Sequence, residues 1–262
     1  DSSFSSSKYW AGITLLVKPQ AIATIPILGI TTLMRCGWRR TMVAVSLCGL
    51  VVLMGFYPFF PDDTLLKTIE LIHKMGVSYS YTSLFAFNWW ALDGMWKPDN
   101  VEIWGRSLFF WGGLISSGFL SLILVRYWAA MRAGTKEIYL VAALACFTFF
   151  LFPTRVHERY LFPAFAFLYV YAGQKRQKSL NILLLIISLL YLGNLYYPYA
   201  YYEPTSNILN IPALRELIET LIIPIATSMV ISYFVLVGWG RWGLETMLFP
   251  AGKKGKKAFP KK

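Results

Sequence analysis

The chain has 262 residues, of which 56% are hydrophobic, 17% aromatic and only 15% charged. A soluble domain carries roughly 25% charged residues, so this composition excludes an ordinary soluble globule and indicates a polytopic membrane protein. The net charge of +12 would suggest nucleic-acid binding in a soluble protein. Here the basic residues stand in short loops beside apolar segments, where membrane orientation explains them. We therefore expect the lipid bilayer as a partner and no nucleic acid. No cofactor is predicted.

Seven apolar segments follow one another, and each is compatible with a membrane-crossing helix of about 20 residues. Because backbone polar groups in lipid must be satisfied within the segment, the sequence predicts an all-α polytopic membrane protein. It has about seven transmembrane helices, an outer amphipathic helix and, in one of two interpretations, a re-entrant segment. The predicted spans cover about residues 9–34, 41–57, 107–126, 137–153, 160–174, 180–197 and 216–239.

The first apolar segment is interrupted by Lys18-Pro19-Gln20. Proline removes a helix hydrogen bond and clashes with the preceding turn, and a charge at membrane depth needs a partner or water. A broken helix beside a polar cavity is therefore favoured over a lysine that snorkels to the membrane surface.

The chain starts at Asp1 without a methionine or a signal-like region. We interpret it as the C-terminal part of a longer protein, with a processed N-terminus as the alternative.

Charged residues alternate between two sides of the predicted bundle, one basic and the other holding most of the acidic residues. By the positive-inside rule, the basic side is cytoplasmic, and residues 153–163 face the cell exterior, the periplasm or a lumen. Residues 1–245 then form the transmembrane domain. The lysine-rich residues 246–262 form a disordered cytoplasmic tail near anionic lipid headgroups, with RNA binding as the alternative weighed against it.

The first part of the longest loop carries leucine, isoleucine and methionine at helical spacing over residues 62–76. Asp62 or Asp63 can cap its start, and Gly76 can end it. These residues predict a short amphipathic helix that either lies in the membrane interface or covers the bundle.

The second part of that loop, residues 79–96, is aromatic and too short to cross the bilayer. One interpretation is an aromatic belt at the membrane interface. The other is a re-entrant element that lines a cavity, with Asn88 turned inward and tryptophan faces suited to sugar rings.

The densest ionisable cluster is Arg155-Val156-His157-Glu158-Arg159-Tyr160, which lies between two strongly apolar segments. Such a cluster at the mouth of a membrane bundle is a functional-site hypothesis by default. If the segment is helical, Arg155 and Arg159 share a face and could hold one phosphate with paired N–H donors. His157 titrates near neutral pH, so it could protonate a leaving oxygen or stay a neutral donor. The structural alternative is a salt-bridge network that stabilises a helix end.

Residues 155–163 resemble the HERY motif of bacterial GT-C glycosyltransferases, membrane mannosyltransferase-like proteins related to the second mannosyltransferase of GPI-anchor synthesis. Two other stretches agree with that family. Lys18-Pro19-Gln20 resembles its KPQ turn. Residues 83–92 resemble its S-x-N-A-F-N-L-W-x-L pattern, with Phe85 in place of asparagine and Trp89 in place of leucine.

The resemblance implies an inverting hexosyltransferase in a bacterial inner or plasma membrane. It would move mannose or another hexose from a polyprenyl-phosphate carrier to a hydroxyl on the extracytoplasmic face. The acceptor would be a glycan, a lipid or a protein. The implied base is an aspartate of an earlier outer loop, expected upstream of Asp1, whereas Asp62-Asp63 is better explained as a helix cap.

The resemblance also implies roles for residues of this chain. Arg155 and Arg159 would hold the donor phosphate, because fixed cations stabilise the charge that grows on it as the sugar departs. His157 would donate to a phosphate or sugar oxygen. No catalytic base and no metal ligand are predicted within the chain. The predicted donor-phosphate and substrate-binding residues are Lys18, Gln20, Asn88, Trp90, Arg155, His157, Glu158, Arg159 and Tyr160.

Two other functions remain open from the sequence. A transporter or flippase for an anionic lipid or sugar phosphate would also use broken helices and intramembrane charges, although no internal repeat is found. A non-catalytic subunit could bind and present a lipid carrier without transferring its sugar. The upstream sequence discriminates these functions, because the resemblance implies that a transferase has a carboxylate in its first outer loop.

Overall fold

The computed structural model describes residues 19–134, 137–202 and 211–240, and these are predominantly helical. A 3₁₀ turn, Pro19–Thr24, precedes the first helix. The α-helices of the described part are α1 (Ile25–Phe56), α2 (Thr64–Val77), α3 (Leu108–Arg132), α4 (Ile138–Leu151), α5 (Phe162–Lys175), α6 (Lys178–Tyr202), α7 (Pro212–Thr220) and α8 (Ile222–Trp239). The strands are β1 (Ser83–Leu84), β2 (Glu102–Ile103), β3 (Arg106–Ser107) and β4 (Val156–His157).

Among the described residues, four helices are long and apolar enough to cross a membrane: Ile22–Phe56, α3, α6 and α8. This is the pattern of a multi-pass integral membrane protein. The seven predicted spans are not confirmed. Helices α4 and α5, which occupy two of the predicted spans, have only 14 residues each. That is about 21 Å of helix against roughly 30 Å of hydrocarbon.

The first two predicted spans join in α1, which is broken at Gly37 (φ 78°, ψ 167°). Glycine reaches such a positive φ without a steric penalty. The break lies within the predicted connection, between Arg35 and Arg39. The interruption predicted at Lys18-Pro19-Gln20 falls at the edge of the described residues: Lys18 lies outside them, and Pro19 starts the 3₁₀ turn.

Helix α4 is the centre of the fold. Its side chains are buried almost without exception, and it packs against α3, α5 and α8. A helix that is hydrophobic all round belongs inside a bundle. Thr148 is satisfied there because its hydroxyl donates to the carbonyl of Leu144 and lies 2.8 Å from the Tyr233 hydroxyl. Since protein surrounds α4, burial inside the bundle is enough to explain its apolar composition.

The helix ends sort into two ends of the bundle. Helices α4 and α6 end, and α3, α5 and α8 begin, where residues 153–163 lie, and we call this the cluster end. At the opposite end the carboxylate of Glu137 accepts from Lys175 Nζ at 2.7 Å, and Trp239 Nε1 donates to Gln177 Oε1 at 3.1 Å. Which end faces the cell exterior stays a prediction of the sequence.

Two small strand pairs stand at the cluster end. Strands β1 and β4 are parallel, with Ser83 opposite Val156 and Leu84 opposite His157. Strands β2 and β3 form an antiparallel hairpin. At its tip Trp104 and Gly105 both have positive φ, which matches the right-handed twist of a two-residue hairpin.

The predicted amphipathic helix is present as α2, with one correction at its start. Asp63 occupies the N-cap position, but its side chain makes no capping hydrogen bond. The first turn is tied back by the hydroxyl of Thr64, which donates to the carbonyl of Phe60 at 2.6 Å. The helix continues through Gly76 to Val77.

Candidate functional site

The ionisable cluster is not a helix. Arg155 has a left-handed backbone (φ 64°), Val156 and His157 form β4, and Glu158–Leu161 is a 3₁₀ turn that leads into α5. The condition under which Arg155 and Arg159 would share a helical face is therefore not met. The physical reason is the pairing of β4 with β1, which draws the backbone into an extended form before α5 begins.

Arg155 is held from within by Asp99, which has no exposed surface. Its Nε donates to Asp99 Oδ2 at 2.6 Å and its Nη2 to Oδ1 at 3.1 Å, a two-point ion pair. Thr154 Oγ1 donates to the same Oδ2 at 2.9 Å. The charge of Arg155, whose side chain is 17% exposed, is thereby neutralised inside the fold.

The other contacts of Arg155 join three segments. Its Nη1 donates to the carbonyl of Gly76 near the end of α2. Its guanidinium lies 4.2 Å from the ring centroid of Phe109 at the start of α3. Its backbone N–H donates to the carbonyl of Tyr81 at 2.9 Å. Arg155 therefore organises the cluster end, and a phosphate would have to compete with Asp99 for it.

Arg159 presents the most exposed charge of the cluster. Its side chain is 59% exposed, and its Nη1 lies 3.3 Å from Glu158 Oε1. The carboxylate of Glu158 is 13% exposed, and its Oε2 lies 3.8 Å from His157 Nδ1. Glu158 thus stands between the imidazole and the guanidinium, and it leaves much of Arg159 open to a ligand.

His157 is a neutral side chain at neutral pH. Burial first, and the positive charge of Arg159 second, lower the pKa of His157 to about 4. Its ring is packed between Tyr79, at 5.9 Å between centroids, and Tyr160, at 5.6 Å. Of the two roles predicted for it, protonation of a leaving oxygen would need the imidazolium, whereas the neutral N–H donor is available at pH 7.

Asn88 and Trp90, predicted to line a sugar or acceptor site, bind protein groups instead. Asn88 is fully buried; its Oδ1 accepts from the backbone N–H groups of Trp90 and Ala91, at 3.1 and 3.3 Å. Its Nδ2 donates to the carbonyl of Phe150 at 3.3 Å, and Trp90 Nε1 donates to that of Phe152 at 2.7 Å. Contact with a sugar through these atoms would require the bonds to open.

The segment that carries Asn88 is also held from α6. The side chain of Asn194 accepts from the N–H of Phe87 at 3.1 Å and donates to the carbonyl of Phe85. All three residues are buried. The inward position of Asn88 is thus fixed by side chains of α6 and by the end of α4, and residues 83–88 are no surface belt.

Sequence reasoning missed Asp99 and Asn194. Asp99 stands in a long loop 56 residues before Arg155, and Asn194 lies 107 residues after Phe87. An amide well inside an apolar segment was the available signal for Asn194, because such a group needs a hydrogen-bond partner in lipid or inside protein. Of the remaining predicted residues, Lys18 lies outside the described part, and Gln20 belongs to the 3₁₀ turn before α1.

No protein-family model matches the chain, and the searches of curated proteins and of solved structures find no match either. Within the described residues, no three His, Cys, Asp or Glu side chains are grouped so that they could hold a metal ion.

Proposed function

We propose that the protein transfers a hexose, such as mannose, from a polyprenyl-phosphate carrier to a hydroxyl acceptor on the extracytoplasmic side of the membrane. The observation that carries this proposal is the exposed guanidinium of Arg159, set on the 3₁₀ turn Glu158–Leu161. It lies at the ends of membrane helices, where the phosphate of a lipid carrier would be found. The resemblance of residues 155–163 to the HERY motif supplies the reaction class.

The contacts within the cluster refine the predicted roles. Arg159 is the ligand for the donor phosphate, because guanidinium groups bind phosphate oxygens with two parallel N–H donors. His157 is a neutral hydrogen-bond donor to a phosphate or sugar oxygen. Arg155 is a positioning residue, since its charge is matched by Asp99. The base is not assigned to a residue of this chain.

The direct test uses the complete protein in proteoliposomes with radiolabelled polyprenyl-phosphate-mannose and a hydroxyl acceptor. Arg159→Ala is expected to abolish transfer without lowering the unfolding temperature, because the side chain is mostly exposed. Arg106→Ala is the matched control: Arg106 is an exposed arginine at the same end, whose guanidinium lies 5.3 Å from the ring centroid of Phe110.

Full transfer by the Arg159→Ala protein would rule out the phosphate role. Binding of labelled donor by the wild-type protein without transfer would favour a non-catalytic carrier-binding subunit. Movement of intact donor across the bilayer, without a new glycosidic bond, would favour a flippase.

A further inference from the structure

Helix α2 exposes an apolar face that no described part of the chain covers. Leu65, Leu66, Ile69 and Ile72 lie on one arc of the helix, and each is between 56% and 67% exposed. The arc against the protein carries Thr68, which is buried, with Thr64 and Leu71 half-buried. The apolar stripe predicted from the sequence therefore points away from the bundle.

The third arc of α2 is charged. It carries Lys67, Glu70 and Lys74, and Lys67 Nζ lies 2.8 Å from Glu70 Oε2 in an exposed ion pair. The helix thus has one side for protein, one for water and one that is apolar apart from His73. This is the pattern of a helix that lies in the plane of a membrane surface.

Exposed aromatic side chains lie near the ends of two candidate spans at the cluster end. Tyr57 and Phe59, between α1 and α2, are exposed, and Trp104 at the tip of the β2–β3 hairpin is 88% exposed. Trp104 packs edge-on against Trp111, at 5.8 Å between ring centroids. Tryptophan and tyrosine collect where a membrane helix meets water. These residues stand within a few positions of the end of α1 and the start of α3, two candidate spans.

We propose that α2 and the tip of the β2–β3 hairpin form one membrane-docking surface. It lies in the boundary between headgroups and acyl chains of the leaflet at the cluster end, with the apolar arc of α2 sunk about 5–10 Å into that boundary. The occupant is lipid because α2 packs against α1, a candidate membrane span, and exposes its apolar arc, whereas its ion pair lies on a separate arc suited to water. This docking does not depend on sugar transfer.

Docking would set the height of the cluster relative to the membrane. The link is the hydrogen bond from Arg155 Nη1 to the carbonyl of Gly76, near the end of α2. Arg155 also binds Asp99 and starts the segment that carries Arg159. The depth of α2 in the interface therefore determines the depth of the Arg159 guanidinium.

The experiment places spin labels on a cysteine-free background (Cys36→Ser, Cys48→Ser, Cys146→Ala) of the complete chain in liposomes. One label at a time replaces Leu66 or Ile69 on the apolar arc, or Lys67 or Lys74 on the charged arc. Collision with oxygen reports lipid, and collision with a water-soluble nickel chelate reports water. We expect a several-fold higher oxygen-to-nickel ratio at Leu66 and Ile69 than at Lys67 and Lys74.

Equal ratios on the two arcs would overturn the proposal, since both arcs would then face water. Low collision with both reagents at Leu66 and Ile69 would overturn it too, because protein would then cover the arc. A label-free measurement is the quenching of tryptophan fluorescence by brominated lipids. Trp104→Phe is expected to remove a quenchable share of the emission, and an unchanged quenchable share would contradict the docking of the hairpin.

Discussion

Asp99 and Arg155 form a two-point ion pair in which the carboxylate has no exposed surface, with Arg155 Nε 2.6 Å from Oδ2 and Nη2 3.1 Å from Oδ1. The pair joins the loop after α2 to the segment that carries the cluster. A buried carboxylate that loses its partner keeps its desolvation penalty, so the two residues depend on each other.

We expect Asp99→Asn to lower the free energy of unfolding by roughly 3–5 kcal/mol, the usual loss when one partner of a buried ion pair is removed. Asp93→Asn, which removes an exposed pair with Lys97, should change it by only about 0–1 kcal/mol. Thermal unfolding in nanodiscs measures both variants. Similar losses in the two would contradict an internal role for Asp99.

We expect the Asn194 side chain to stabilise the position of the buried segment 85–87. Asn194→Ala leaves the N–H of Phe87 and the carbonyl of Phe85 without their partner, at about 1–3 kcal/mol for each buried group. Asn181→Ala, at an exposed position of the same helix, is the control and should be close to neutral. Proteolysis within residues 79–96 should accelerate in the first variant and stay unchanged in the second.

The lowered pKa of His157 predicts a pH dependence of stability. The folded imidazole has a pKa of about 4, against 6.5 for the ordinary group, so between these values the unfolded chain binds more protons. Stability should therefore fall as the pH drops from about 6.5 toward 4. His157→Gln is expected to reduce this slope, and His73→Gln, at an exposed position on α2, to retain it. Unfolding temperatures across this range measure the slope; identical slopes in all three proteins would refute the assignment.

Two adjacent glycines of α3 should respond in opposite ways to alanine. A Cβ at Gly112 would lie 3.0 Å from both the carbonyl oxygen of Phe152 and the backbone nitrogen of Thr154, whereas one at Gly113 meets nothing within 4 Å. Gly113→Ala should be neutral or stabilise by up to about 1 kcal/mol, the usual helix-propensity gain. Gly112→Ala should destabilise the protein, because backbone cannot move aside as a flexible side chain can. A stabilised Gly112→Ala protein would show that α3 does not pack closely on the cluster segment.

The apolar runs of the sequence predict the positions of the helices. They do not predict whether a helix is surrounded by protein or by lipid. Helix α4 has the composition of a membrane span but only 14 residues, and burial in protein selects the same side chains as burial in lipid. The sequence left the backbone form of the cluster segment, residues 155–160, open. Its extended form depends on pairing with Ser83–Leu84, and such a distant partner leaves no local pattern. The inward position of Asn88 was foreseen as one alternative, since a polar side chain among aromatics must find hydrogen bonds.

The hydrogen bonds between Asn194 and the backbone at Phe85 and Phe87 also constrain the order of biogenesis. The residues are 107 and 109 positions apart, with α3, α4 and α5 between them. During synthesis, the backbone groups of Phe85 and Phe87 cannot form these hydrogen bonds until Asn194 has left the ribosome. Nascent chains that end before Asn194 should therefore carry an unfinished cluster end, open to proteases and to chaperones, however well their earlier helices have inserted.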